Sequence, residues 1–194
     1  EVEYIPSVSS GIKASALRQD GTLTMIGERV SSLGSRKVKR LLLADDYEGI
    51  LDVARDQLDS GAHVLDICVA LTERGDEAVQ MATVVKLLSM SVETPIMVDS
   101  TEAGVIEAAL QHIPGRAIIN SINMENGRKR IDSVVPIAKK HGAALVALTI
   151  DPVGMAKTRE RKLEVARAIY DIVVGEYGMS PGDLIYDALT FTLA

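Results

Sequence analysis

Pro95-Ile96-Met97-Val98-Asp99, then Val105, Ile106, Ala109 and Leu110 at helical spacing, then Gly115, then Ala117-Ile118-Ile119-Asn120 is the stretch that decides the fold. The first run is apolar throughout and ends on a polar residue, as a strand of a parallel sheet covered on both faces does. The four spaced apolar residues form one face of an amphipathic helix. Gly115 stands where a helix stop with positive φ is expected, and a second apolar run follows it. The stretch therefore reads as one strand, one helix and the next strand.

The same unit recurs on both sides. The other runs are Leu23-Thr24-Met25-Ile26-Gly27-Glu28, Val64-Leu65-Asp66-Ile67-Cys68-Val69, Ala144-Leu145-Val146-Ala147-Leu148-Thr149 and Leu184-Ile185-Tyr186-Asp187. Helical faces appear at Ile50, Val53, Ala54 and Leu58 after the capping candidates Asp45 and Asp46, at Ile131, Val134, Val135 and Ala138, and at Ala166, Ile169, Tyr170 and Val173. Gly61, Gly142 and Gly178 are further expected stops. The expected class is α/β, with six strands and five intervening helices. A (β/α)8 TIM barrel averages about 250 residues, so six strands correspond to six of its eight units. A barrel truncated after the sixth strand is expected, with an open doubly wound sheet as the alternative. No GxGxxG follows the first strand, which removes the main argument for a dinucleotide-binding sheet.

Residues 1–21 show no helical or strand period and carry Pro6, Ser7, Ser9, Ser10 and Gly11. They read as a linker or N-terminal arm, with the barrel domain spanning 22–194. The first residue is Glu1, not Met, so a longer polypeptide is expected.

Composition narrows the function classes. The 194 residues are 47% hydrophobic, with no Trp, one Phe and five Tyr, so the core is aliphatic and there is no aromatic platform for stacked bases. A formal charge of −6 repels polyanions, which argues against nucleic acid. One cysteine precludes an internal disulfide and fits a reducing cytoplasm. No apolar run reaches the roughly 18 residues of a membrane helix.

The polar residues carry the chemistry. Glu28, Asp66, Asp99, Asn120, Asp151 and Asp187 are each expected at or just beyond the C-terminal end of an aliphatic strand, the face on which barrel enzymes build their sites. Several carboxylates around one mouth need donors, cations or an N–H-rich ligand. Asp and Asn together match an aminopyrimidine edge such as a pterin carries. Helix capping, for which Asp99 before Ser100-Thr101-Glu102 is a candidate, is the plainer alternative, and a divalent metal a third, although no metal-loop spacing is present.

Five segments in order carry a resemblance: Ile26-Gly27-Glu28-Arg29, Pro95-Ile96-Met97-Val98-Asp99-Ser100, Ile118-Ile119-Asn120-Ser121-Ile122, Thr158-Arg159-Glu160-Arg161-Lys162 and Leu184-Ile185-Tyr186-Asp187. Together they resemble the pterin-binding domains of cobalamin-dependent methionine synthases and methyltetrahydrofolate:corrinoid methyltransferases, which are (β/α)8 barrels. The resemblance implies binding of 5-methyltetrahydrofolate and transfer of its methyl group to cob(I)alamin, held by a separate cobalamin-binding domain or corrinoid protein. It implies substrate-binding roles for Glu28, Ser31, Asp66, Asp99, Asn120 and Asp187. Ser31 replaces the Asn usual two residues after the Glu-Arg pair, and Cys68 replaces the Asn usual on the second strand. The family's late-strand Asn, which approaches the methyl-bearing nitrogen, belongs to units beyond the sixth strand, so no catalytic residue is assigned. A non-catalytic pterin-docking module and a dihydropteroate synthase-like enzyme are the alternatives, although the latter's glycine-rich second-strand motif does not follow Asp66.

The remaining candidates read plainly. Cys68 is expected in the core. His63, His112 and His141 fall at helix-to-strand junctions, Met81, Met90 and Met124 are expected gap fillers, and Arg128-Lys129-Arg130 and Arg159-Glu160-Arg161-Lys162 are expected solvated faces or contacts for a glutamate tail or partner domain.

Overall fold

The computed structural model describes residues 5–17 and 23–190. The chain divides into two compact units, Glu1–Ile118 and Ile119–Ala194. The expected boundary between arm and barrel, at residues 21 and 22, lies outside the described residues.

The first unit opens with a two-stranded antiparallel ribbon, β1 (Ser7–Ser9) and β2 (Ala14–Ala16). No strand period is legible here, because each strand is only three residues long and the ribbon is fastened by long-range bonds. The Ser9 N–H donates to the Arg116 carbonyl at 2.9 Å, and the Arg116 N–H returns a bond to Ser9 Oγ at 3.0 Å. Ser10 Oγ donates to the Glu93 carbonyl at 2.9 Å, and Val8 is 1% exposed. The ribbon thus fastens to the loops that lead into later strands.

Then come β3 (Ile26–Ser31), α1 (Arg36–Leu43), α2 (Tyr47–Asp59), β4 (Val64–Cys68), α3 (Glu77–Ser91), β5 (Ile96–Asp99) and α4 (Ala103–Leu110). β3, β4 and β5 are parallel neighbours in that order. α1 has no counterpart in the helical spacing of the sequence; only Val38 and Leu42 are buried in it, too few for a legible period. Asp46 caps α2 as expected, accepting from the Gly49 N–H at 3.0 Å. The α2 face includes Ile50, Val53 and Ala54, but the buried residue at its far end is Gln57 and not Leu58.

The second unit contains β6 (Ile118–Ile122, starting at the junction), α5 (Lys129–His141), β7 (Ala144–Leu148), a short antiparallel ribbon of β8 (Ile150–Asp151) and β9 (Gly154–Met155), α6 (Arg159–Tyr170) continued by a π-helical turn (Asp171–Glu176), and β10 (Leu184–Asp187). The strand order is β10–β7–β6, with β10 parallel to β7. Ile131, Val134, Val135 and Ala138 are all buried, as their spacing predicts.

Gly61, Gly142 and Gly178 have positive φ, as expected of stops. Gly115 does not. It is required by space: a Cβ there would lie 2.1 Å from the Ser9 carbonyl oxygen and 2.4 Å from that of Ser10. Met81 is buried, whereas Met90 is 80% exposed and fills no gap. No described helix is long and apolar enough to cross a membrane.

Candidate functional site

Register within the first unit defines a polar face. A Cβ on Gly27 would meet Gln57 of α2, so the Gly27 side of β3 faces the helices. Gly27 pairs with Leu65 and Val30 with Ile67, while Leu65 pairs with Ile96 and Ile67 with Val98. These residues form the helix-covered layer, and Val30, Leu65, Ile67 and Val98 are fully buried in it. By alternation Asp66, Cys68 and Asp99 point to the opposite face.

Ser31 pairs with Cys68, and Asp99 ends β5 one step beyond the Ile67–Val98 pair. Ser31, Cys68 and Asp99 therefore lie in one row at the C-terminal ends of three adjacent strands. The Asp99 carboxylate accepts a hydrogen bond from the Cys68 thiol. Burial pushes that thiol up, and the Asp99 charge pushes the same way, so it stays neutral and donates. Ser32 lies beside it, with Oγ 3.9 Å from Cys68 Sγ and donating to the Ala70 carbonyl at 2.6 Å. Ser31 Oγ accepts from the Gly34 N–H at 3.1 Å, which orients the hydroxyl at the mouth of the row. Cys68 is buried as expected, but the register also makes it part of the candidate site.

Not every expected position is a strand end. Asp99 and Asp187 end β5 and β10, and Asp151 ends the short β8. Asp66 is third of five residues in β4 and 4% exposed, one layer below Cys68 on the same face. Asn120 is third of five in β6. Glu28 lies mid-strand in β3 and is exposed, because β3 runs on to Ser31. In β3 and β6 the strand outlasts the apolar run, since polar residues continue the pairing, whereas Asp66 interrupts a run that goes on to Val69.

Asp99 is not the N-cap residue of the helix that follows it. The N-cap of α4 is Glu102, and its N–H bonds Ser100 Oγ at 3.1 Å. Asp187 does serve its own turn: Oδ1 accepts from the Leu189 N–H at 2.7 Å, and its carbonyl accepts from the Thr149 N–H at 3.2 Å. The basic runs are largely exposed, as expected, with Arg128, Lys129 and Arg159 all solvent-facing, and several of their members are also paired. Arg161 bridges Asp151 and Glu164, Arg128 bridges Asp132 and Glu176, and Arg130 Nε donates to the Ser121 carbonyl at 2.9 Å. Among the described residues no three His, Cys, Asp or Glu side chains are grouped to hold a metal. His63 is structural, its Nδ1 accepting from the Met25 N–H at 3.0 Å.

The family model described as "Pterin binding enzyme" matches residues 27–194. The chain belongs to the pterin-binding enzyme family. Relatives include methionine synthase from Mycobacterium tuberculosis (strain ATCC 25618 / H37Rv), 41% identical over 197 residues, and methionine synthase from Mycobacterium leprae (strain TN), 41% identical over 196 residues. Both alignments cover 100% of this chain and 16% of the relative, so the chain spans about a sixth of their length. Among solved structures, Yersinia pestis dihydropteroate synthase aligns with TM-score 0.64 and 16% identity over 93% of this chain and 63% of that one. The enzyme from Vibrio fischeri ES114 aligns with TM-score 0.62 and 16% identity, over 93% of this chain and 66% of that one. These likenesses show the fold: α/β with parallel strands and flanking helices, of the pterin-binding barrel type expected from the sequence.

Proposed function

We propose that this chain binds the pterin ring of 5-methyltetrahydrofolate and, within a longer polypeptide, presents its methyl group to cob(I)alamin carried by a separate domain, in methionine synthesis in the cytoplasm. The relatives' name supports the substrate and the methyl transfer, and the observation that carries the pterin assignment is Asp99. It ends its strand, is not the N-cap residue of the helix that follows, and shares a row with Ser31 and Cys68. An ionised carboxylate there accepts from the adjacent amino and ring N–H groups of a pterin. Asp66, one layer deeper on the same face, sets a second carboxyl group beneath the row. In the second unit, Asn120 offers both a donor and an acceptor, and Asp187 a second carboxylate; the family resemblance assigns both to the ring. Reduced cobalamin, when bound, supplies the nucleophile, so the work of this chain's residues is to hold and orient the folate.

In the full-length protein Asp99→Asn should weaken 5-methyltetrahydrofolate binding by about 1.5–3 kcal/mol, because a charged acceptor becomes an amide that presents a donor to a donor. Calorimetry alongside circular dichroism tests this, and an unchanged Kd refutes the assignment. Methyl transfer from 5-methyltetrahydrofolate to free reduced cobalamin separates a methyltransferase from a docking module, which binds but does not turn over.

A further inference from the structure

β3 keeps register with β4 at both ends but not in the middle. Gly27 lies opposite Leu65 and Val30 opposite Ile67, so Glu28 and Arg29 together span the single residue Asp66. This is a one-residue bulge. Without it, alternation would set Val30 opposite Cys68 and turn Ser31 toward the helices. With it, Val30 is fully buried in the helix-covered layer and Ser31 pairs with Cys68 in the polar row.

A bulge leaves a backbone donor without its ladder partner. The Arg29 N–H is instead taken by Gln57 Oε1 of α2, 2.7 Å away. Gln57 is 7% exposed, and its Nε2 donates back to the Val53 carbonyl of its own helix at 3.5 Å. Gly27 makes room for this amide: a Cβ there would lie 2.6 Å from Gln57 Oε1 and 3.2 Å from the Ala62 Cβ.

We infer that Gln57 is a positioning residue for the pterin site: its buried amide holds the β3 bulge that turns Ser31, rather than Val30, toward Cys68 and Asp99. The inference rests on the pterin-binding reading of that face. Gln57 touches no ligand in this role; it acts through the phase of β3.

The test is calorimetric titration of the full-length protein with 5-methyltetrahydrofolate, for wild type, Gln57→Leu, Gln57→Glu, Ser31→Ala and the Gln57→Leu/Ser31→Ala pair. Gln57→Leu should raise Kd about five-fold or more, and Gln57→Glu, which keeps an acceptor oxygen, should stay within about two-fold of wild type. Added to Ser31→Ala, Gln57→Leu should cost less than about two-fold, because the hydroxyl it positions is already gone. Amide exchange at Arg29 should quicken in Gln57→Leu and not in Gln57→Glu. If Gln57→Leu loses its fold, Gly27→Ala, which displaces the same amide, should weaken binding about five-fold. Wild type that binds beside an indifferent Gln57→Leu or Gly27→Ala overturns the positioning role alone, as does equal loss with and without the Ser31 hydroxyl. Wild type that binds no 5-methyltetrahydrofolate overturns the pterin reading and this inference with it.

Discussion

Gly115→Ala tests how the N-terminal ribbon is held. Replacing glycine by alanine outside a positive-φ position usually stabilises by about 0.4–1 kcal/mol, through a less flexible unfolded chain. Here the sign should reverse. The new Cβ would sit 2.1 Å from the Ser9 carbonyl oxygen and 2.6 Å from the Ser10 carbonyl carbon. Both are backbone atoms, so no side-chain rotation relieves the overlap and the ribbon must lift. Lifting breaks the 2.9 Å bond from the Ser9 N–H to the Arg116 carbonyl, the 3.0 Å return bond to Ser9 Oγ, and the 2.8 Å bond from Arg116 Nη1 to the Ser7 carbonyl. At about 1 kcal/mol net per bond, and about 1.5 kcal/mol for uncovering Val8, full detachment costs about 4–5 kcal/mol. A partial shift that keeps Val8 covered costs about 2 kcal/mol. Native-state hydrogen exchange in the full-length protein reads this at the Ser9 and Arg116 amides, where protection should fall by at least about 2 kcal/mol. A loss below about 1 kcal/mol, or a gain, would refute the argument that contact with the ribbon is what demands glycine.

Two further outcomes are expected. In the second unit Asn120 and Asp187 lie on strands that flank β7; if they share the pterin, Asn120→Ala and Asp187→Ala should each weaken folate binding, with a combined effect non-additive by about 0.5 kcal/mol or more. Additive stability losses of about 1 kcal/mol each, with affinity unchanged, would instead mark them as caps. Tyr186 donates to the Ala166 carbonyl at 3.0 Å, and burial, with smaller contributions from Tyr170 and Asp171, pushes its phenol up to about 12 from 10.0. The unfolded phenol ionises first as pH rises, so this contribution is complete below pH 10 and is lost between pH 10 and about 12. Alkaline melts of wild type and Tyr186→Phe, with phenolate absorbance, check this: the variant should show a smaller alkaline loss.

The parts of this protein written locally were legible in its sequence. Continuous apolar runs mark the strands β4 to β7, because strands covered on both faces need apolar side chains throughout; the runs at β3 and β10 mark strands that are only partly covered. The buried faces of α4 and α5 matched their spacing residue for residue, and Asp46 matched its capping role. Asp99 was placed at the end of its strand by the same logic, since the apolar run and the strand stop together there.

Tertiary structure decided what depends on partners distant in the chain. Apolarity could not show that β3 continues through Arg29 to Ser31, because pairing with β4, not hydrophobicity, extends it. Nor could it show the bulge, which reverses the faces of Val30 and Ser31 and exists only relative to a neighbouring strand. Gln57 is not legible as a core residue, because a polar side chain on an apolar stripe looks solvated until the donor it meets, the Arg29 N–H, is known. Gly115 looked like a helix stop, yet its glycine is imposed by a ribbon about a hundred residues earlier in the chain. Periodicity reports which side of an element is buried; register and close approach report what each side chain meets, and only the folded chain holds that information.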